Sequence, residues 1–176
     1  MPVLCRLSYS SGWVRLDAMI EAIRGRRHAL AVFTVALAAW ACTDRGSEDG
    51  LAEGTLLVET AEGRVEIPVE IAETPEEQAR GVMGREGLPE GGGMVFSNPE
   101  PAQVGFTMDE VTFPLSLAVW GPEGRILAIL DMEPCPESGC PGYDPGVPWT
   151  GAVEVNQGFF DEMGVGVGDR VHLQRP

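Results

Sequence analysis

The stretch TLLVETAEGRVEIPVEI, residues 55–71, puts Val65, Ile67, Val69 and Ile71 on one face of an extended chain and Glu66, Pro68 and Glu70 on the other. Alternation with period two, next to the apolar run of Thr55 to Thr60 and the turn Ala61-Glu62-Gly63, predicts a hairpin with one wet face. Pro68 cannot donate to a ladder, so its strand is expected at a sheet edge or with the missing donor turned outward. Thr74-Pro75-Glu76-Glu77 follows, combining an N-cap hydroxyl, a proline at the first helical position and a Glu three residues past the cap. This predicts a short helix to about Met83, with Ala79, Val82 and Met83 toward the core and Gly81 and Gly84 stopping it.

Beyond a Gly91-Gly92-Gly93 linker, brief strands are expected at Met94-Val95-Phe96 and from Val104 to Met108. Leu115 to Trp120 and Arg125 to Asp131 form the next pair, joined by the turn Gly121-Pro122-Glu123-Gly124. Residues 133–150 are rich in Pro and Gly and too long for a mere connector, which suits a functional rim or a stapled lid. Ala152 to Asn156 reads as a strand, Gly158 to Met163 as a short helix and Val171 to Leu173 as the last strand. Gly164-Val165-Gly166-Val167-Gly168-Asp169 follows a helix and precedes no other, so it is a turn and not a nucleotide loop. The expected fold is α+β and β-rich: a small mixed or antiparallel barrel-like sheet with two short helices.

The 176 residues suit one domain plus extras, and the abundant Gly and Pro, 23 and 14, exclude a helical bundle. All 12 basic residues are Arg, which removes a Walker-type phosphate loop and Schiff-base chemistry. A net charge of −15 argues against a nucleic-acid partner, which needs a basic face.

Arg24-Gly25-Arg26-Arg27-His28 precedes an apolar run from Ala29 to Ala41 that is interrupted by Thr34 and followed by Cys42, the layout of a signal segment. The run is shorter than the roughly 20 residues of a permanent span, so cleavage is expected. Leu37-Ala38-Ala39-Trp40-Ala41-Cys42 resembles a bacterial lipoprotein signal, although Ala39 and Trp40 depart from the usual pattern. The resemblance implies lipidation of Cys42 and a membrane partner through that anchor. The division is then a signal segment over 1–41, with a more ordinary start at Met19, a polar tether over 42–54 and one domain over 55–176. Localisation is exported, on the cell membrane or outer membrane, facing periplasm or exterior. Processing removes Asp17 and Glu21 but five Arg, leaving a domain still more acidic than the whole chain. It also leaves Cys135 and Cys140 as a pair, for which a disulfide in an oxidising compartment ranks ahead of a redox centre or thiolate metal ligands. Zinc is disfavoured because His172 is the one remaining His. No cofactor or metal is called for.

Residues 55–175 resemble the domain of unknown function 192 family. The resemblance rests on Glu73-Thr74-Pro75-Glu76-Glu77, Arg80-Gly81-Val82-Met83 and Arg85, Gly93-Met94-Val95-Phe96, Phe106-Thr107-Met108, Pro114-Leu115 and Gly124-Arg125-Ile126. It continues through the Cys135 and Cys140 loop with Tyr143, Glu154-Val155-Asn156, Gly158, Gly164 and Gly168-Asp169-Arg170-Val171. It implies a compact, barrel-like α+β domain and no particular reaction. Where the family runs Phe-Trp-Met-Lys-Asn-Thr and Pro-Leu-Asp, this chain has Phe106-Thr107-Met108-Asp109-Glu110-Val111 and Pro114-Leu115-Ser116.

Candidate chemistry is sparse, since Ser97 and Ser116 lack a nucleophile elbow. The leading function is a binding module for a small ligand or an envelope protein. Its candidate residues are Arg85, Met83, Met94, Phe106, Met108, Tyr143 and Trp149, with Arg85 gripping an anionic group. The competing assignment makes the hydrophobes ordinary core and Arg85 the partner of a carboxylate. A rival class is a hydrolase using carboxylates such as Asp109 with Glu110, or Glu133 with Glu154; a third is a secreted protein with a purely structural role.

Overall fold

The computed structural model describes residues 50–176; the signal segment, Cys42 and most of the tether lie outside the described residues. Strand β1 (Ala52–Glu59) pairs antiparallel with β2 (Arg64–Ala72), the hairpin read from the alternation. It starts inside the stretch assigned to the tether, and Gly54 is the reason a strand fits there. A Cβ at that position would stand 2.7 Å from the Gln174 carbonyl of the final strand.

Helix α1 (Pro75–Arg80) is capped as expected: the Thr74 hydroxyl accepts from Glu77 N–H, and the Glu77 carboxylate accepts from Thr74 N–H. It ends at Arg80, earlier than the periodicity suggests, because Gly81 takes a φ of 48°. None of its residues is buried, and Ala79 is exposed instead of facing the core. Gln78 ties the helix down, its amide donating to the Ser97 carbonyl at 2.8 Å. The crossover delivers the chain to β3 (Gly93–Ala102), which runs parallel to β2. Gly93 therefore belongs to a strand and not to a linker. β3 begins pairing with β2 only at Val69, one residue past Pro68, so an internal strand accommodates the proline.

After the short β4 (Phe106–Thr107) come β5 (Leu115–Trp120), β6 (Ile126–Met132), β7 (Gly142–Tyr143) and β8 (Trp149–Asn156). Helix α2 (Phe159–Met163) and β9 (Arg170–Gln174) complete the chain. The main sheet has the order β6-β5-β8-β3-β2-β1-β9, and β4 with β7 forms a separate two-stranded ribbon. The sheet is mixed and does not close into a barrel. Its two edge strands meet at one corner, where Arg125 bridges Arg170 and Ile126 N–H donates to the Asp169 carbonyl at 2.9 Å.

The central strands are buried on both faces. One layer gathers Ile67, Val95, Ala118, Val153 and Val155 with Phe160. The other gathers Met94, Phe96, Leu117, Val119, Trp149 and Ala152 with Met108 from the connection after β4. Alternation along β8 places Glu154 in the second layer, beside Ala152. Among the described residues, no helix is long and apolar enough to cross a membrane.

Candidate functional site

A cleft of about 280 Å³ opens on the second layer, between α1 with the turn after it and the segment Val104–Thr107. Its walls include Val82, Met83, Phe96, Phe106, Val111 and Trp149, and Gln78, Arg80 and Thr107 bring polar atoms to it. The aromatic wall is braced internally. Phe106 stacks on Trp149 with centroids 5.3 Å apart, and Phe96 meets Phe106 edge-on at 5.9 Å. The Trp149 indole N–H donates to the Val104 carbonyl at 2.9 Å, which fixes the cleft's outer segment against β8.

Glu154 also lines the cleft, and it is 5% exposed. Its cross-strand neighbours are Met94 on β3 and Leu117 on β5, both fully buried, so neither flank of the sheet offers it a charge or a donor. Its Oε2 is sealed from solvent without a hydrogen-bond partner. Desolvation by this apolar surround pushes the carboxyl up to about 8 from its ordinary 4.5, so it is mostly protonated at neutral pH. A buried polar atom with nothing to bond to costs stability, so this carboxyl is a group for which a bound partner would be favourable.

Of the residues singled out from the sequence, Met83, Phe106 and Trp149 are brought together as cleft walls. Met94 and Met108 are wholly enclosed in the core beneath. Tyr143 stands behind the wall: its strand pairs with Phe106, and its hydroxyl accepts from Glu133 N–H at 3.0 Å. Arg85 is not part of the cleft lining; its guanidinium donates to the Glu70 carboxylate at 2.5 Å. The cleft has a single carboxyl in its lining, so neither proposed carboxylate pair assembles there; Glu133 instead accepts from the Gln157 amide at 2.9 Å.

Phe96, Gln78 and Gly81 were missed as lining residues, and Glu154 was named only as one half of a carboxylate pair with Glu133. The signal available for Glu154 was an acid inside the apolar run from Ala152 to Val155, on a strand with no polar face. Cys135 and Cys140 are joined as a disulfide that staples the loop carrying β7. Asp109 has an oxygen within 4.8 Å of both sulfurs, but sulfurs bonded to each other offer no thiolate to a metal.

Two departures from the family pattern have visible structural surroundings. Glu110 has a φ of 56°, a left-handed conformation in which Asn sits more easily than Glu. Replacing Glu110→Asn is therefore expected to raise stability by about 0.5 kcal/mol, read as a higher denaturation midpoint with an unchanged slope. Ser116 donates to the Asp131 carboxylate at 2.6 Å and accepts from Gly158 N–H at 3.1 Å, joining β5, β6 and the start of α2.

Together these features define a small β-rich domain with an aromatic cleft floored by a buried acid. The chain belongs to the DUF192 family, described as Uncharacterized ACR, whose model matches residues 57–173. The similar solved structures include two at just under 30% identity. One is a protein of unknown function from Novosphingobium aromaticivorans DSM 12444, at 28% identity and a TM-score of 0.66 over 72% of this chain and 89% of that one. The other is a candidate transcription regulator from Sinorhizobium meliloti 1021, at 27% identity and a TM-score of 0.65 over 70% and 95%. No curated protein matches the sequence.

Proposed function

We propose that this domain is a small-ligand-binding module held at the cell envelope by a lipid on Cys42, with the cleft above Glu154 as its binding site. The observation that carries the binding assignment is the cleft itself, where aromatic side chains share the lining with one buried, unpartnered carboxyl. Ligand sites are concave and mostly apolar, with a few convergent polar groups, and this volume lies near the lower end of the roughly 300–1,000 Å³ they span. The ligand is therefore small. Regulation of transcription is not carried over from the similar protein, because a chain with net charge −15 lacks the basic face that nucleic acid requires.

Amide-resolved NMR of the full chain against a set of small aromatic compounds tests the assignment. The expected shifts cluster on Gly81, Gly105, Phe106 and the Trp149 indole; shifts that leave these signals still, or that gather elsewhere, refute it.

The envelope location is supported by the basic, apolar, small-residue and Cys order of residues 24–42 and by a disulfide, which persists in oxidising compartments. Intact mass of protein from its native membrane, before and after reduction and alkylation, checks both. A chain beginning at acylated Cys42, with Cys135 and Cys140 alkylated only after reduction, is expected; an unlipidated chain alkylated without reduction contradicts the proposal.

A further inference from the structure

Within the binding role proposed above, on which this inference rests, we propose that the cleft selects an organic cation: a primary or secondary amine on a small apolar, preferably aromatic, body. The ammonium N–H would donate to Glu154 Oε2, and the body would lie against Phe96, Phe106 and Trp149.

Three observations converge on that class. First, Oε2 is buried and has no hydrogen-bond partner, so the polar group that pairs with it comes with the occupant. Second, the partners available within the sheet are apolar and carry no strong donor, since Met94 and Leu117 flank Glu154 on either side. A positive charge supplied by the ligand offsets the desolvation of the carboxylate in a way a neutral donor does not. Third, the walls are aromatic, and ring faces attract cations, most strongly when water is excluded. The chain's net charge of −15 adds a long-range field that draws cations toward the surface and repels carboxylates. Arg80 is the one other charged residue of the lining; it sits exposed in the last turn of α1, at the solvent side, where water screens it.

Proton balance follows. In the empty cleft near neutral pH the carboxyl holds its proton. Binding an ammonium ion converts it to the carboxylate and releases that proton to the buffer, with no bond made or broken in the ligand.

Calorimetry on the full chain at pH 7, in two buffers of different ionisation enthalpy, is the test. The probes are 2-phenylethylamine, 3-phenylpropanamide and 3-phenylpropanoate, run against the native sequence and Glu154→Gln. The amine is expected to bind at least about tenfold tighter than the other two, releasing close to one proton. Glu154→Gln should weaken the amine by about thirtyfold, the cost of leaving one member of a buried pair alone, while the amide changes by less than about threefold. If the amide or the propanoate binds as well as the amine, or the amine ignores Glu154→Gln, cation selection is wrong while the cleft remains a binding site. If no probe binds and the NMR screen leaves the cleft signals unmoved, the binding role itself fails. Retained cooperative unfolding of Glu154→Gln separates a lost contact from a lost fold.

Discussion

Glu154→Gln is expected to make the protein more stable than the native sequence in alkaline solution and to leave it nearly unchanged in acid. The folded state holds the Glu154 proton up to about pH 8, whereas the unfolded chain releases it near 4.5. Between those values the native state binds more protons than the unfolded state, so the Glu154 contribution to stability falls as pH rises. The slope is about 1.4 kcal/mol per pH unit across that window, and the contribution is flat below pH 4 and above pH 9. Glutamine fills the same volume without titrating. The difference between the two proteins therefore opens from near zero at pH 4 to about 5 kcal/mol in favour of the variant at pH 9. Using the variant as reference removes the remaining carboxylates, which titrate alike in both. Urea midpoints across this range measure the difference; a gap that does not grow with pH would mean that Glu154 ionises at an ordinary value.

Gly93→Ala carries the other large effect, in the opposite direction. Gly93 opens β3 between β2 and β8, and a Cβ there would stand 2.6 Å from the Glu154 carbonyl, 3.0 Å from Val155 Cγ1 and 3.2 Å from Val153 Cγ2. The closest of these is backbone in a central strand, which can move only by parting the sheet. The expected cost is about 3 kcal/mol, the upper end of what overpacking produces. The strain also falls on the residue that floors the cleft, so ligand affinity should fall together with stability. Gly87→Ala is the matching control: its Cβ would meet nothing within 4 Å, and its expected effect is neutral or slightly stabilising. Equal thermal stability of the two variants would show that β3 and β8 are packed less closely than described.

Much of the sheet was legible because its strands are punctuated by residues with defined backbone chemistry. β5 has the bounds read from the sequence, Leu115 to Trp120, since Pro114 precedes it and Gly121-Pro122-Glu123-Gly124 turns the chain after it. The α1 cap was equally plain from Thr74 and Glu77, yet its burial was not, because six residues carry too little periodicity to say which face is covered. The ribbon of β4 with β7 pairs only Phe106 with Tyr143 and Thr107 with Gly142. Its partners lie far apart in sequence, and two-residue strands leave no alternation to detect.

The site divided along the same line. Phe106 was announced as an aromatic in a brief strand and Trp149 as one in the Pro-rich stretch of residues 133–150, while Arg85 drew attention through its charge and proved to be joined to Glu70. Glu154 was named only as one half of a carboxylate pair with Glu133, because an acid among valines resembles one more solvated glutamate in a chain with 27 acidic residues. Only the order β5-β8-β3, which closes apolar side chains over both sides of it, makes it different.

A carboxyl-carbon NMR titration of the Glu154 side chain, assigned by its loss in Glu154→Gln, tests the central claim most directly. An inflection near pH 8, moving lower when an amine occupies the cleft, is the expected result. An inflection near 4.5 in the empty protein would mean that the carboxyl is solvated or already paired, and that the cleft has no buried acid to offer a ligand.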